Sequence, residues 1–260
     1  MEGISIIIPV FNNIETSMRC IDSIWEQNKG CSFEIIIVDN GSTDETPQVF
    51  TAGAGFNPAL ISEQITYIRN PENLGVAKAL NIGAAAAKYD ILCFMHNDVV
   101  VYKTRWVSEI CNFIFNTPTA GVVGLYGAKT IRKDGSFRGR TVVHAKRGFA
   151  TMGKPFERVA IVDGLIMSMK NTVFKNVGGF CEDFYIHYYD KDLSLRAIKN
   201  NFVNYVLNIP FEHQCAATRR GIKAENEIRD IAQKQFVCIW REYLPVDVSS
   251  WRERLTHLFK

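Results

Sequence analysis

Asp98 stands just after an apolar run, Ile91–Met95, in the segment His96-Asn97-Asp98. A carboxylate there is costly unless it is paired, solvated or metal-bound, so the placement suggests a diphosphate held through a metal. An ordinary acidic turn is the alternative. Asp39 follows a second apolar run, Ile35–Val38, in the segment VDNGSTD. An acid at that end can accept from a nucleobase imide while the Gly and Ser behind it shape a turn. Helix capping by Ser42, Thr43 and Asp44 accounts for the same residues equally well. Asn73-Leu74-Gly75 opens a third segment, whose first helical amides can face phosphate. Neither GxGxxG nor GxxxxGK[ST] occurs, which disfavours a dinucleotide or P-loop site.

These side chains need a scaffold that brings strand ends together, and the apolar pattern supplies one. Ile4–Ile8 reads as a buried strand, ended by Pro9 and the turn-prone pair Asn12-Asn13. Ile14, Met18, Ile21, Ile24 and Trp25 recur at helical spacing, and that helix closes near Gly30. Strands over 35–38, 65–68 and 91–95 follow, with a helix near Pro47 and an alanine-rich one over 76–87. Continuous apolar strands separated by helices predict an α/β fold with a Rossmann-like, mostly parallel central sheet flanked by helices. Ligands of such sheets sit beyond the carboxyl ends of the strands. Polar clusters at Asn12-Asn13, Asp39-Asn40, Asn73 and Asn97-Asp98 mark those ends.

Beyond residue 100 the alternation lapses. A helix over 105–115 and strands over 121–126, 159–162, 166–170 and 202–207 are expected, with a hairpin or mobile loop over 129–158. Helices over 222–240 and 248–259 end the chain. The organisation is one domain over 1–220, a nucleotide-binding half (1–100) and an acceptor-side half (101–220), with a C-terminal helical extension over 221–260.

The 260 residues are 47% hydrophobic, 22% charged and 12% aromatic, which excludes a disordered or collagen-like chain. No apolar run reaches the ~18–20 residues that span a bilayer. The opening MEGISIIIPVFNN carries no Lys or Arg before an apolar stretch too short for a signal peptide. The expected location is cytoplasmic, with peripheral attachment at the inner face of a membrane left open. Seven cysteines, with no CxxC, suggest neither a disulfide framework nor a zinc site. A net charge of +3 is too small to argue for a nucleic-acid partner.

The segments SIIIPVFN (Ser5–Asn12), VDNGSTD (Val38–Asp44), NLGVAKALNIG (Asn73–Gly83), FMHNDV (Phe94–Val99), GGF (Gly178–Phe180) and YDKDLSLR (Tyr189–Arg196) occur in this order. Together they strongly resemble the family 2 glycosyltransferases, inverting enzymes of the GT-A fold that use nucleotide-sugars. Rhamnosyltransferases are among the closest-looking relatives, and the resemblance covers roughly residues 3–213. It implies that Pro9, Val10, Asn12, Asp39, Ser42, Asn73, Gly75 and Asn97 form the nucleotide site, with Asp39 facing the base. Asp98 matches the last acid of the metal-binding DxD-like triplet, whose first position is His96 here. An imidazole there can ligate Mn²⁺ or hydrogen-bond ribose or phosphate.

The implied cofactor is a divalent metal, Mg²⁺ or Mn²⁺. His213 falls where a late histidine reaches the metal or diphosphate, and a structural histidine is the equal alternative. Asp190 matches the catalytic base and Tyr189 replaces the glutamate that usually precedes it. Asp192 is expected to orient its helix, with Arg196 one turn later as its ion-pair partner. Asp163 and Gly164 match a segment near donor sugar and acceptor. Tyr185, His187, Tyr188 and Tyr189 can wall the sugar site. Arg219 and Arg220 close over phosphates or are solvated surface residues.

The expected reaction moves a sugar from a UDP- or dTDP-type donor to a glycan, glycolipid or protein-glycan acceptor. A catalytically silent nucleotide-sugar-binding module is the rival, motivated by His96 and Tyr189. In the tail, Val248, Trp251, Leu255 and Leu258 share one face, with Arg252, Arg254 and Lys260 elsewhere. That arrangement suits an anionic membrane carrying a lipid-linked acceptor, packing on the domain, or a homodimer contact.

Overall fold

A computed structural model of the chain describes residues 3–52, 64–144, 149–150, 152–213 and 225–250. The first part alternates as the apolar pattern predicts: β1 (Ile4–Val10), α1 (Ile14–Gln27), β2 (Phe33–Asp39), α2 (Thr46–Ala52), β3 (Ile65–Arg69), α3 (Val76–Ala86) and β4 (Ile91–Met95). Then come β5 (Val99–Val101), α4 (Trp106–Asn116), β6 (Ala120–Gly124), β7 (Tyr126–Ile131), β8 (Phe137–His144), β9 (Phe149–Ala150) and β10 (Phe156–Val159). The chain continues through β11 (Ile161–Val162), β12 (Ile166–Lys170), α5 (Asn171–Asn176), α6 (Tyr189–Lys199) and β13 (Val203–Leu207). It closes with β14 (Phe211–His213), α7 (Glu225–Trp240) and β15 (Val246–Asp247).

The central sheet has eight strands in the order β10-β13-β6-β12-β4-β1-β2-β3. From β3 through β2 and β1 to β4 every pairing is parallel. β12 runs antiparallel between β4 and β6, while β13 is again parallel to β6. A second sheet takes the order β11-β7-β8-β14-β5. Period-two alternation splits the apolar strands between two cores. Ile4, Ile6 and Ile8 pack with Cys20, Ile21 and Ile24 of α1. Ile7, Ile36 and Val38 face the small residues Ala77, Ala79 and Ala84 of α3. α3 lies so close to the sheet that a Cβ at Gly83 would stand 2.3 Å from Ile7 Cγ2.

The turn after β1 is built by Asn12 and Asn13, both left-handed at φ 56° and 61°, a conformation that asparagine tolerates better than most residues. The stretch expected over 129–158 as a hairpin or mobile loop begins within the β7–β8 hairpin, which spans residues 126–144. The single strand expected over 159–162 is divided: β10 joins the central sheet and β11 the second one. Three short strands escaped the sequence reading altogether: β15, which pairs with β7, and β5 and β14, which pair with each other antiparallel. Among the described residues of the helix expected over 248–259, residues 248–250 are not helical, and the Val248 amide instead donates to the Lys129 carbonyl at 3.0 Å; Trp251, Arg252, Arg254, Leu255, Leu258 and Lys260 lie outside the described residues. Among the described residues, no helix is long and apolar enough to cross a membrane. Cys20 and Cys93 are fully buried free thiols, and burial pushes the Cys93 thiol up to about 12.

α7 adds Ala232, Phe236 and Trp240 to the core that also holds Tyr189 and Leu193 of α6. Its polar anchor is Asp192, which is buried. Asp192 Oδ2 accepts from Arg196 Nε at 2.8 Å, and Oδ1 accepts from Trp240 Nε1 at 3.0 Å. Removing this carboxylate strands both donors. Asp192→Ala is therefore expected to cost about 2–4 kcal/mol of stability. Urea unfolding of the two proteins measures it, and a loss under about 0.5 kcal/mol would show that the buried pair contributes little.

Candidate active site

The carboxyl ends of β1 and β4 open into a cavity of about 280 Å³. Between β4 and β5 the chain must turn, and His96-Asn97-Asp98 makes that turn. Asp98 is 9% exposed. Register explains what surrounds it: His213 of β14 sits opposite Val99 of β5, next to Asp98 in sequence. His213 Nε2 lies 3.2 Å from Asp98 Oδ1, and His96 Nδ1 lies 4.0 Å from the same oxygen. One ligating atom from each of His96, Asp98 and His213 falls within 4.8 Å of the other two. Burial raises the Asp98 carboxyl, but the His213 hydrogen bond and the fields of His96 and His213 outweigh it, holding it below the ordinary carboxylate range. Two imidazoles and one ionised carboxylate are a donor set that suits a divalent cation.

His96 is fixed on its other sides. Its amide donates to the Leu165 carbonyl at 3.0 Å, and its Nε2 is 2.8 Å from the Tyr189 hydroxyl. Tyr189 is buried with its ring edge-on to Phe180. Tyr188, which precedes α6, takes a left-handed φ of 69°, and this turns the following residues into the cavity. Asp190 lies in the first turn of α6, where the helix N-terminus favours an anion. Its Oδ2 accepts from the Gly164 amide at 3.2 Å and its Oδ1 from the Lys191 amide at 2.8 Å. Asp163 also lines the cavity, with Oδ1 accepting from the Leu165 amide at 3.2 Å.

Fifteen of the residues given site roles from sequence border this cavity: Pro9, Val10, Asn73, Gly75, His96, Asn97, Asp98, Asp163, Gly164, Tyr185, His187, Tyr188, Tyr189, Asp190 and His213. Asn12, Asp39 and Ser42 do not; they bind one another. Asp39 is fully buried, with Oδ1 accepting from the Ser42 amide at 2.8 Å and Oδ2 from the Tyr67 hydroxyl at 2.6 Å. The Asn12 amide donates to Ser42 Oγ at 2.8 Å, and Asn12 Oδ1 accepts from the Thr43 amide at 2.8 Å. This network ties the loop after β1 to the loop after β2. Asn73 Oδ1 accepts from the Gly75 amide at 3.0 Å, and Gly75 must be glycine because a Cβ would meet the Tyr185 ring at 2.5 Å. Arg219 and Arg220 lie outside the described residues.

Other wall residues were not foreseen. Phe137 comes from β8, in a stretch whose Gly, Lys and Arg content suggested a hairpin or mobile loop, and Arg229 comes from α7. Lys191 lies with Nζ 3.8 Å from the Tyr188 ring centre and 4.5 Å from that of Phe137, and donates to the Gly135 carbonyl at 3.0 Å. Lys191 therefore covers one face of Tyr188 that the sequence assigned to sugar stacking. Only its place between Asp190 and Asp192 hinted at a role.

The profile described as glycosyl transferase family 2 matches residues 5–178. An O-antigen biosynthesis protein, RfbC, of Myxococcus xanthus is 27% identical over 212 residues, covering 74% of this chain and 16% of that protein. A PGL/p-HBAD biosynthesis glycosyltransferase of Mycobacterium bovis is 36% identical over 110 residues, covering 42% of this chain and 41% of that protein. The matched regions thus span less than half of each of these relatives. In fold, the chain is similar to GalNAc-T7 solved with UDP, GalNAc and Mn²⁺ (TM-score 0.68, 16% identity, 82% of this chain and 44% of that one). It is also similar to the mannosyltransferase PcManGT of Pyrobaculum calidifontis solved with GDP-Man and Mn²⁺ (TM-score 0.60, 17% identity, 90% and 69%). The central sheet is that of the GT-A glycosyltransferases, and with the family pattern running through most of its length the chain belongs to glycosyl transferase family 2.

Proposed function

We propose that this protein transfers a sugar, with inversion, from a nucleoside-diphosphate donor of UDP or dTDP type to a glycan or lipid-linked acceptor. The observation that carries the reading is one cavity bordered both by the His96–Asp98–His213 group and by Asp190. A divalent cation held by those three side chains would neutralise charge on the departing diphosphate. Asp190 then has the task of a general base: it takes the proton of the acceptor hydroxyl as that oxygen bonds to the anomeric carbon. The bond from that carbon to the diphosphate breaks in the same displacement, and the diphosphate leaves with the electron pair. The amides of Gly164 and Lys191 orient the Asp190 carboxylate without neutralising it. Support for the donor class comes from the fold relatives bound to UDP or GDP-Man with Mn²⁺. Support for a surface-glycan acceptor comes from the O-antigen and PGL/p-HBAD relatives.

The cation is assigned as Mn²⁺ rather than Mg²⁺, because Mg²⁺ prefers oxygen ligands and two of the three donors here are imidazoles. UDP is expected to raise the melting temperature in Mn²⁺, with Mg²⁺ needed at about tenfold or more the concentration for the same shift. Asp98→Ala should abolish the metal-dependent part. Undiminished stabilisation by UDP in EDTA would defeat a metal-held diphosphate.

Asp190→Asn keeps the size and the accepted hydrogen bond from Gly164 but removes the proton acceptor. Turnover at saturating donor is expected to fall by about 10²–10⁴-fold, with calorimetric donor affinity close to wild type. A fall below about threefold would move the base elsewhere, with Asp163 next in line. Donor binding in the wild-type protein with neither hydrolysis nor transfer would favour a silent binding module.

A further inference from the structure

His96 and Tyr189 are the two positions at which the sequence departs from the family pattern, and they touch. His96 Nε2 is 2.8 Å from the Tyr189 hydroxyl, while Nδ1 points toward Asp98 Oδ1 at 4.0 Å. A neutral imidazole carries one N–H, and which nitrogen bears it is set by the partner of the other. For Nδ1 to offer its lone pair to a cation, the proton must sit on Nε2 and be received there. The phenol oxygen can receive it. Because a hydroxyl both donates and accepts, Tyr189 can also serve the other tautomer, in which Nδ1–H faces Asp98.

The phenol reaches His96 only because of Gly164. A Cβ at Gly164 would stand 2.2 Å from the Tyr189 hydroxyl oxygen. Gly164 is not among the glycines with positive φ, so its backbone conformation is open to other residues. The demand for glycine comes from the hydroxyl. His96 is further pinned by the hydrogen bond its amide donates to the carbonyl of Leu165, the residue after Gly164.

We propose that Tyr189 is a positioning residue, which sets the rotation and tautomer of His96 so that Nδ1 is presented to a divalent cation shared with Asp98 and His213, and that Gly164 lacks a side chain to admit that hydroxyl. The proposal rests on the metal reading of this group. Partners of this kind behind a metal-bound histidine change metal affinity by about 10–100-fold when removed.

The test uses the full-length protein stripped with EDTA, with Mn²⁺ alone as the probe, titrated by calorimetry or by the paramagnetic resonance signal of the free ion. Tyr189→Phe keeps the ring packed on Phe180 and is expected to weaken Mn²⁺ binding by about 10–100-fold. In a His96→Ala background the same change is expected to have no further effect, since its route to the metal is gone. Gly164→Ala, which keeps the phenol but displaces it, should lose affinity in the same range and decides the matter if Tyr189→Phe fails to fold. Mn²⁺ affinity within about threefold of wild type in either single variant overturns the proposal, as does an undiminished Tyr189→Phe effect in the His96→Ala background. Absence of Mn²⁺ binding in the wild-type protein overturns it together with the metal reading; normal wild-type binding that is insensitive to Tyr189 overturns it alone.

Discussion

The Gly164 amide donates to Asp190 Oδ2 at 3.2 Å, and the carbonyl of the next residue, Leu165, accepts from the His96 amide at 3.0 Å. On the same turn, the missing side chain of Gly164 leaves space for the Tyr189 hydroxyl. Asp163 anchors the turn from the other side, its amide donating to the Tyr126 carbonyl at 2.9 Å. Three backbone atoms and one absent Cβ thus connect the loop after β4, the start of α6 and the strand β7. Displacement of this turn would move the anion at Asp190 and the imidazole at His96 together.

Around that turn the electrostatics are arranged by the meeting of two sheets. Asp98 ends the bend from β4, in the central sheet, to β5, in the second. Burial alone would favour its neutral form, and the imidazoles of His96 and His213 reverse the balance. The histidine that completes the group arrives on β14, whose antiparallel pairing with β5 fixes His213 beside Asp98. A slip of one residue in that short ladder would turn His213 to the opposite face and break the group.

α7 closes the structure by bonding to the same helix that carries Asp190. Trp240 donates to Asp192 and Phe236 packs on Tyr188 at 5.1 Å between ring centres. Arg229 of α7 borders the cavity. His187 Nε2 lies 3.1 Å from Glu225 Oε1, tying the beginning of α7 to the cavity wall. The C-terminal segment therefore contributes both core and wall.

The parallel strands β1 to β4, the helices between them and the polar clusters at their carboxyl ends were legible in the sequence, because each is written in a local period of two or 3.6 residues. So were Asp98 and Asp190 as candidates, through short motifs whose order matches the family, and the Asp192–Arg196 pair, through its spacing of four. β5 and β14 were not legible: each has three residues, too few for a pattern, and β5 is a strand only through its pairing with β14. Asp39 could be read as an acid at a strand end, but its bonds to Ser42 and Tyr67 depend on how the loops after β1 and β2 and the strand β3 come together. The contact of His96 with Tyr189, the space at Gly164 and the arrival of Phe137 and Arg229 at the cavity were decided by tertiary structure. They follow from strand register and from the volume left between packed elements, and local periodicity carries neither.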